Sequence, residues 1–121
     1  MEYACPVWHS SLNAAQSDKI ESIQRRALLR IITGVKSSKN MDMDIIPELE
    51  PPSLHERREE QTLRVFTRMT HSVNCLHHLL PPERDSFILD KLRDHKQYPV
   101  PYARTAHFQN SFLVYALRTY Q

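Results

Sequence analysis

The chain has 121 residues, 16 lysines and arginines against 14 aspartates and glutamates for a formal net charge of +2, and 40% hydrophobic residues. That length holds one modest core, and the mild basic balance permits nucleic-acid or acidic partners without demanding them. No apolar run approaches the roughly 18 residues of a membrane span, and the opening MEYACPVW lacks the layout of a signal peptide, so the expectation is an intracellular, non-membrane chain, with neither nucleus nor cytoplasm favoured.

The strongest structural signal is 13–34, NAAQSDKIESIQRRALLRIITG. At about 100° per residue Ile20, Ile23, Ala27 and Ile31 fall in one stripe with Leu28 at its edge, which predicts an amphipathic helix with one buried face. Asn13 is placed to cap its start, and Gly34, the one glycine in the sequence, to close its end. Before it, Tyr3, Val7 and Trp8 give the first residues an apolar character, and Pro6 predicts a break.

After Gly34 the stretch VKSSKNMDMDIIPELEPPS predicts a polar connector with a short ordered piece around 43–46. Ser53 and Glu56 form a capping box, so a second helix is expected over 54–72. Its first two turns are charged, and Leu63, Phe66, Met69 and Val73 place the packing in its C-terminal half. Pro81 and Pro82 end the short apolar piece that precedes them. Residues 83–104 predict mostly loop, with 98–102 in polyproline II. Thr105 then caps a last helix over 106–120, with Phe108, Phe112 and Tyr115 in an aromatic stripe. The expected architecture is all-α, a small open bundle of about three helices with Pro-rich connectors and an irregular tail. Its segments 1–34, 35–80 and 81–121 are expected to form one structural unit.

Lys19, Arg26 and Arg30 lie on one line of the first helix, and Arg57, Arg64 and Arg68 repeat the pattern on the second. Such lines suit contacts to a phosphate backbone, where each Lys or Arg releases condensed counterions without reading sequence. The competing reading is a solvated face held by Glu21–Arg25 and Glu60–Arg64 pairs. Cys5 and His9, with His71, Cys75, His77 and His78, can be drawn as a zinc site, but their spacing fits no finger or knuckle, and ordinary packing is expected. His55-Glu56-Arg57-Arg58-Glu59 has a glutamate where a zincin needs its second histidine, and Asp42 and Asp44 sit in a connector without a third carboxylate. No catalytic residue, metal or cofactor is expected, and the two cysteines are expected as free thiols.

The run EYACPVWHSSLNAAQSDKIESIQRRALLRIITG resembles the segment just downstream of the catalytic core in reverse transcriptases of non-LTR retrotransposons, the jockey-like LINE group. PPSLHERREE, Leu76 to Pro82, and the tail KQYPVPYARTAHFQNSFLVYALR extend the likeness over essentially the whole chain. The resemblance implies the end of a thumb and its following extension, taken from an RNA-directed DNA polymerase. The family's Tyr-x-Asp-Asp palm motif does not occur in this sequence, so the resemblance carries over no catalytic residue. It does imply a helical bundle lying against RNA, DNA or a hybrid duplex, with Lys19, Arg25, Arg26, Arg57, Arg64 and Arg68 as phosphate contacts. Leu28 and Leu29 stand where the family has a single leucine, which turns Arg30 by about 100° from the direction the family's arginine takes and puts Leu29 on the polar side. The alternative is a helical protein-interaction or self-association module that docks through Tyr3, Val7, Trp8 and Leu29.

Overall fold

The computed structural model describes residues 3–33 and 53–121. Every regular element among them is helical, as the all-α expectation requires. In chain order these are α1 (Cys5–Trp8), a 3-10 turn (His9–Ser11), α2 (Ala14–Thr33), α3 (Leu54–Met69), a second 3-10 turn (His77–Leu79), α4 (Ser86–Leu89), α5 (Ala106–Gln109) and α6 (Phe112–Thr119). The chain divides into two compact units, one spanning Leu12–Arg57 and the other joining Met1–Ser11 to Arg58–Gln121.

In the first unit, α2 starts where its sequence says it should. Asn13 Oδ1 accepts the Gln16 amide at 2.8 Å, and Gln16 Oε1 accepts the Asn13 amide at 3.0 Å, a reciprocal cap that satisfies two otherwise orphaned donors. The covered face differs from the expected stripe. Ser17, Ile20, Glu21, Gln24 and Leu28 are half-buried, whereas Ile23, Ala27 and Ile31 are exposed. The covered line is therefore turned by about 70° from the isoleucine stripe. Glu21 explains part of this shift: its Oε1 accepts the amide of His55 at 2.7 Å, in the first turn of α3, where a carboxylate meets a free donor and the positive end of the helix dipole. The C-cap at Gly34, the piece at 43–46 and the Asp42–Asp44 pair lie outside the described residues.

α3 begins at the predicted cap, with Ser53 Oγ accepting the Glu56 amide at 3.1 Å. Its buried face runs Leu54, Arg58, Thr62, Phe66 and Met69 along the whole helix, so packing is not confined to the C-terminal half. Of the four residues expected there, Phe66 and Met69 are buried while Leu63 is partly exposed and Val73 is 95% exposed. The helix stops short of residue 72 because its chain turns away. His77 Nδ1 donates to the Met69 carbonyl at 3.0 Å, and tight three-residue turns follow through Asn74 and His77 to Leu80.

The core of the second unit is Phe66, Tyr98, Ala116 and Leu117, ringed by Leu80, Val100, Phe112, Leu113 and Tyr120. Tyr98 enters it from an irregular stretch whose backbone is bracketed by Gln121. The Tyr98 amide donates to Gln121 Oε1 at 2.9 Å and its carbonyl accepts from Gln121 Nε2 at 3.0 Å. The phenol donates to Glu83 at 3.0 Å, and burial together with that carboxylate raises its pKa. The single last helix expected over 106–120 is two. Thr105 caps α5 as predicted, but Ser111 is extended and its hydroxyl donates to the Phe108 carbonyl at 2.7 Å, diverting a helix acceptor and starting α6 anew. The aromatic stripe breaks with it, leaving Phe108 partly exposed and Phe112 and Tyr115 half-buried.

The opening segment is helical through Pro6 rather than broken by it. Pro6 lies in the first turn of α1, where a missing N–H leaves no hydrogen bond unmade.

Candidate nucleic-acid interface

Arg57, Arg64 and Arg68 sit on α3 at i, i+7 and i+11, all exposed. They form one line turned by about 120° from the buried face, and span about 16 Å along the helix axis. Burying Arg58, Thr62, Phe66 and Met69 therefore obliges this line to face water. Arg64 Nη2 pairs with Glu60 Oε1 at 2.7 Å, so one of the two i, i+4 pairs weighed in the sequence is formed on α3 itself. On α2, Lys19, Arg25 and Arg26 are exposed, and Lys19 and Arg26 lie opposite the half-buried line of Ser17, Gln24 and Leu28. The structure thus brings Arg57, Arg64 and Arg68 together on one helix face and Lys19 with Arg26 on another, while Arg25 stands to the side of its helix.

A polar junction in the second unit involves residues that sequence reasoning did not single out together. Glu59, on α3, receives three donors. His9 Nε2 lies 2.5 Å from its Oε2, the Tyr120 hydroxyl donates to its Oε1 at 2.6 Å, and the Tyr115 hydroxyl reaches both oxygens at 3.1 and 3.3 Å. The rings meet edge to face, Tyr115 against Tyr120 at 5.8 Å and His9 against Tyr115 at 6.5 Å. Burial pushes the Glu59 carboxyl up, but the hydrogen bonds from Tyr120, His9 and Tyr115 and the charge of His9 outweigh it and hold the carboxyl below its ordinary value. Burial, then Glu59 itself, raises both tyrosines. The arrangement ties the first eleven residues and α6 to α3. Nothing in the spacing of residues 9, 59, 115 and 120 signals it, because no short-range pattern links four residues so far apart in the chain.

Cys5, His77 and His78 make separate contacts. Cys5 Sγ donates to Gln61 Oε1 at 2.9 Å, and His78 Nδ1 donates to the Cys75 carbonyl at 2.6 Å. Neither cysteine is in a disulfide; Cys5 is buried and Cys75 exposed. Among the described residues no three His, Cys, Asp or Glu side chains converge on a point where a metal ion could sit.

Of the four candidate docking residues, Tyr3 and Val7 are 94% and 69% exposed. Trp8 and Leu29 are half-buried. Trp8 is engaged within its own unit, its indole N–H donating to the Tyr3 carbonyl at 3.1 Å and its ring lying 5.9 Å from the Arg58 guanidinium. No described helix is long and apolar enough to cross a membrane.

Comparison of the chain with protein-family models, with curated proteins and with solved structures finds no match in any of the three.

Proposed function

We propose that the chain is a non-catalytic part of a non-LTR retrotransposon reverse transcriptase that holds RNA, DNA or a hybrid duplex by its phosphate backbone. The single observation supporting the binding half of this reading is the exposed line Arg57, Arg64 and Arg68 on the face of α3 that its own packing leaves in water. Lys19, Arg25 and Arg26 on α2 add further phosphate contacts. The family half rests on the sequence resemblance. Such contacts give sequence-independent binding that weakens steeply with salt, in the range of about 10⁻⁴ to 10⁻⁶ M near physiological ionic strength.

The test is a fluorescence titration of labelled duplexes of unrelated sequence at several salt concentrations. Reversing Arg26 and Arg64 together, Arg26→Glu with Arg64→Glu, is expected to weaken every duplex equally and to flatten the logarithmic salt slope by roughly 0.9 per lost contact. Unchanged affinity and slope would remove the phosphate-contact reading.

The exposure of Tyr3, just before α1, and of Val7 within it favours a second reading, a protein-interaction or self-association module. Concentration-dependent sedimentation, abolished by Tyr3→Ser with Val7→Ser and accompanied by no nucleic-acid binding at low salt, would replace the first reading with this one.

A further inference from the structure

Ile20, Ile23, Ala27 and Ile31 keep the i, i+3, i+7, i+11 spacing of a helix-pairing seam; Ile20 at its start is half-buried, yet Ile23 is 47% and Ile31 78% exposed, with Ala27 exposed between them. One border of this seam is the half-buried line through Glu21, Gln24 and Leu28. The other consists of Lys19, Arg26 and Arg30, with no acid among them. The seam runs for about 16 Å, or three helical turns.

From this face we infer a docking site on α2 for an amphipathic helix of a partner protein that carries acidic residues along one edge of its apolar stripe. The width of the seam selects a helix over a lipid surface: it covers only about 80° of the helix and has no aromatic side chain, narrower than the apolar face of about 100° or more that lies against a broad core or a bilayer. The charge of its border selects an acidic partner. A second copy of the chain is disfavoured by symmetry. In an antiparallel two-fold pair, Lys19, Arg26 and Arg30 of one copy would face the same three residues of the other; in a parallel pair they would face a border whose one acid, Glu21, is engaged with His55. The seam is far smaller than the roughly 800 Å² per partner of a stable complex, so the association is weak and its electrostatic part screened by salt. The inference is independent of phosphate binding, although Lys19 and Arg26 serve both and the two ligands compete.

The test uses the full chain and a designed helical peptide of about 21 residues with leucine at a and d and glutamate at e and g, which repels its own copies and stays monomeric. A matched peptide carries lysine at e and g. At low salt the glutamate peptide is expected to bind with a Kd of about 10–100 µM and the lysine peptide at least about tenfold more weakly. Ile23→Gln with Ile31→Gln is expected to weaken the glutamate peptide about tenfold while moving Tm by no more than about 2 °C, since glutamine is a good helix former and both sites are exposed. A Tm drop of about 5 °C or more in that variant would show the seam already covered within the chain and would overturn the inference. Equal binding of the two peptides, binding of phosphatidylserine vesicles that the same variant abolishes, or a dimer that the variant dissolves would each overturn it as well.

Discussion

α3 hides an arginine and a threonine in its packed face, while α2 leaves two isoleucines in water. The difference lies in what each face finds opposite it. Thr62 returns its hydroxyl to the Arg58 carbonyl at 2.7 Å, and the Arg58 guanidinium lies near the Trp8 ring, so the Thr62 hydroxyl and the Arg58 charge each meet a partner in the packed face. On α2 the partners are polar too. Glu21 reaches the first turn of α3, and a helix held by that contact presents Ser17, Gln24 and Leu28 inward rather than Ile23 and Ile31. Apolar spacing therefore identifies a helix better than it identifies the side of the helix that is buried.

The contrast can be broken most directly by truncating one residue from each helix. Phe66 is 4% exposed, lies in the core with Leu117 and packs against the Tyr120 ring at a centroid distance of 6.0 Å. Phe66→Ala should cost about 3–5 kcal/mol, the usual range for removing a buried aromatic ring. Ile31→Ala should change stability by less than about 0.5 kcal/mol. Urea unfolding of both variants checks this, and comparable losses would mean that the isoleucine face is packed after all.

A smaller effect sharpens the same contrast at Glu59, where α3 uses a charge to gather other elements. Glu59→Gln keeps the shape but removes the charge that His9, Tyr115 and Tyr120 address, and should cost about 1–3 kcal/mol. The pH dependence follows from the directions of the shifts. The Glu59 carboxyl is held below its ordinary 4.5, so its contribution is complete above that value and is lost as pH falls through the lower, folded value. Tyr115 and Tyr120 are raised above their ordinary 10.0, so their contribution is complete below 10.0 and is lost as pH rises beyond it. Stability profiles of the native chain and of Glu59→Gln should therefore converge at acid pH, where the carboxyl is protonated in both states. Parallel profiles would separate Glu59 from the acid transition.

Local signals were the legible ones. The caps at Asn13, Ser53 and Thr105 could be read from single residues because the hydrogen bonds that make them reach only three positions along the chain. The all-α class followed from apolar periodicity, which needs nothing beyond the helix itself. What could not be read depends on distant partners. Tyr98 becomes core through Gln121, and Arg58 is buried beside a tryptophan fifty positions earlier. The break before α6 is local, and Ser111 favours a helix start, but the i, i+4, i+7 spacing of Phe108, Phe112 and Tyr115 runs straight across it and reads as one helix. The cationic candidates Arg57, Arg64 and Arg68 were legible as a line because they share one helix, and their exposure follows from residues on the opposite face.

Asn13→Ala removes a reciprocal cap that belongs to α2 alone, and should cost about 1 kcal/mol of that helix's stability while leaving the packed face of α3 untouched. Hydrogen exchange distinguishes the two, with faster exchange in the first turn of α2 and no change between Thr62 and Met69. A global acceleration would mean that the two helices unfold as one.

Arg64→Ala should have the smallest effect. Its pair with Glu60 is exposed at both ends, 59% and 65% for the side chains, and i, i+4 pairs of this kind contribute about 0.2–0.5 kcal/mol. Thermal unfolding should therefore barely move. That near-neutrality is what makes the position informative for binding: with the fold intact, any loss of affinity for a duplex can be assigned to the missing cation rather than to a disturbed α3. Glu60→Gln completes the argument from the other side. It frees the Arg64 guanidinium and removes a nearby negative charge, so duplex affinity should rise at low salt and the gain should shrink as salt screens it. A fall in affinity on losing Glu60 would mean that the pair holds Arg64 in its binding pose instead of competing for it.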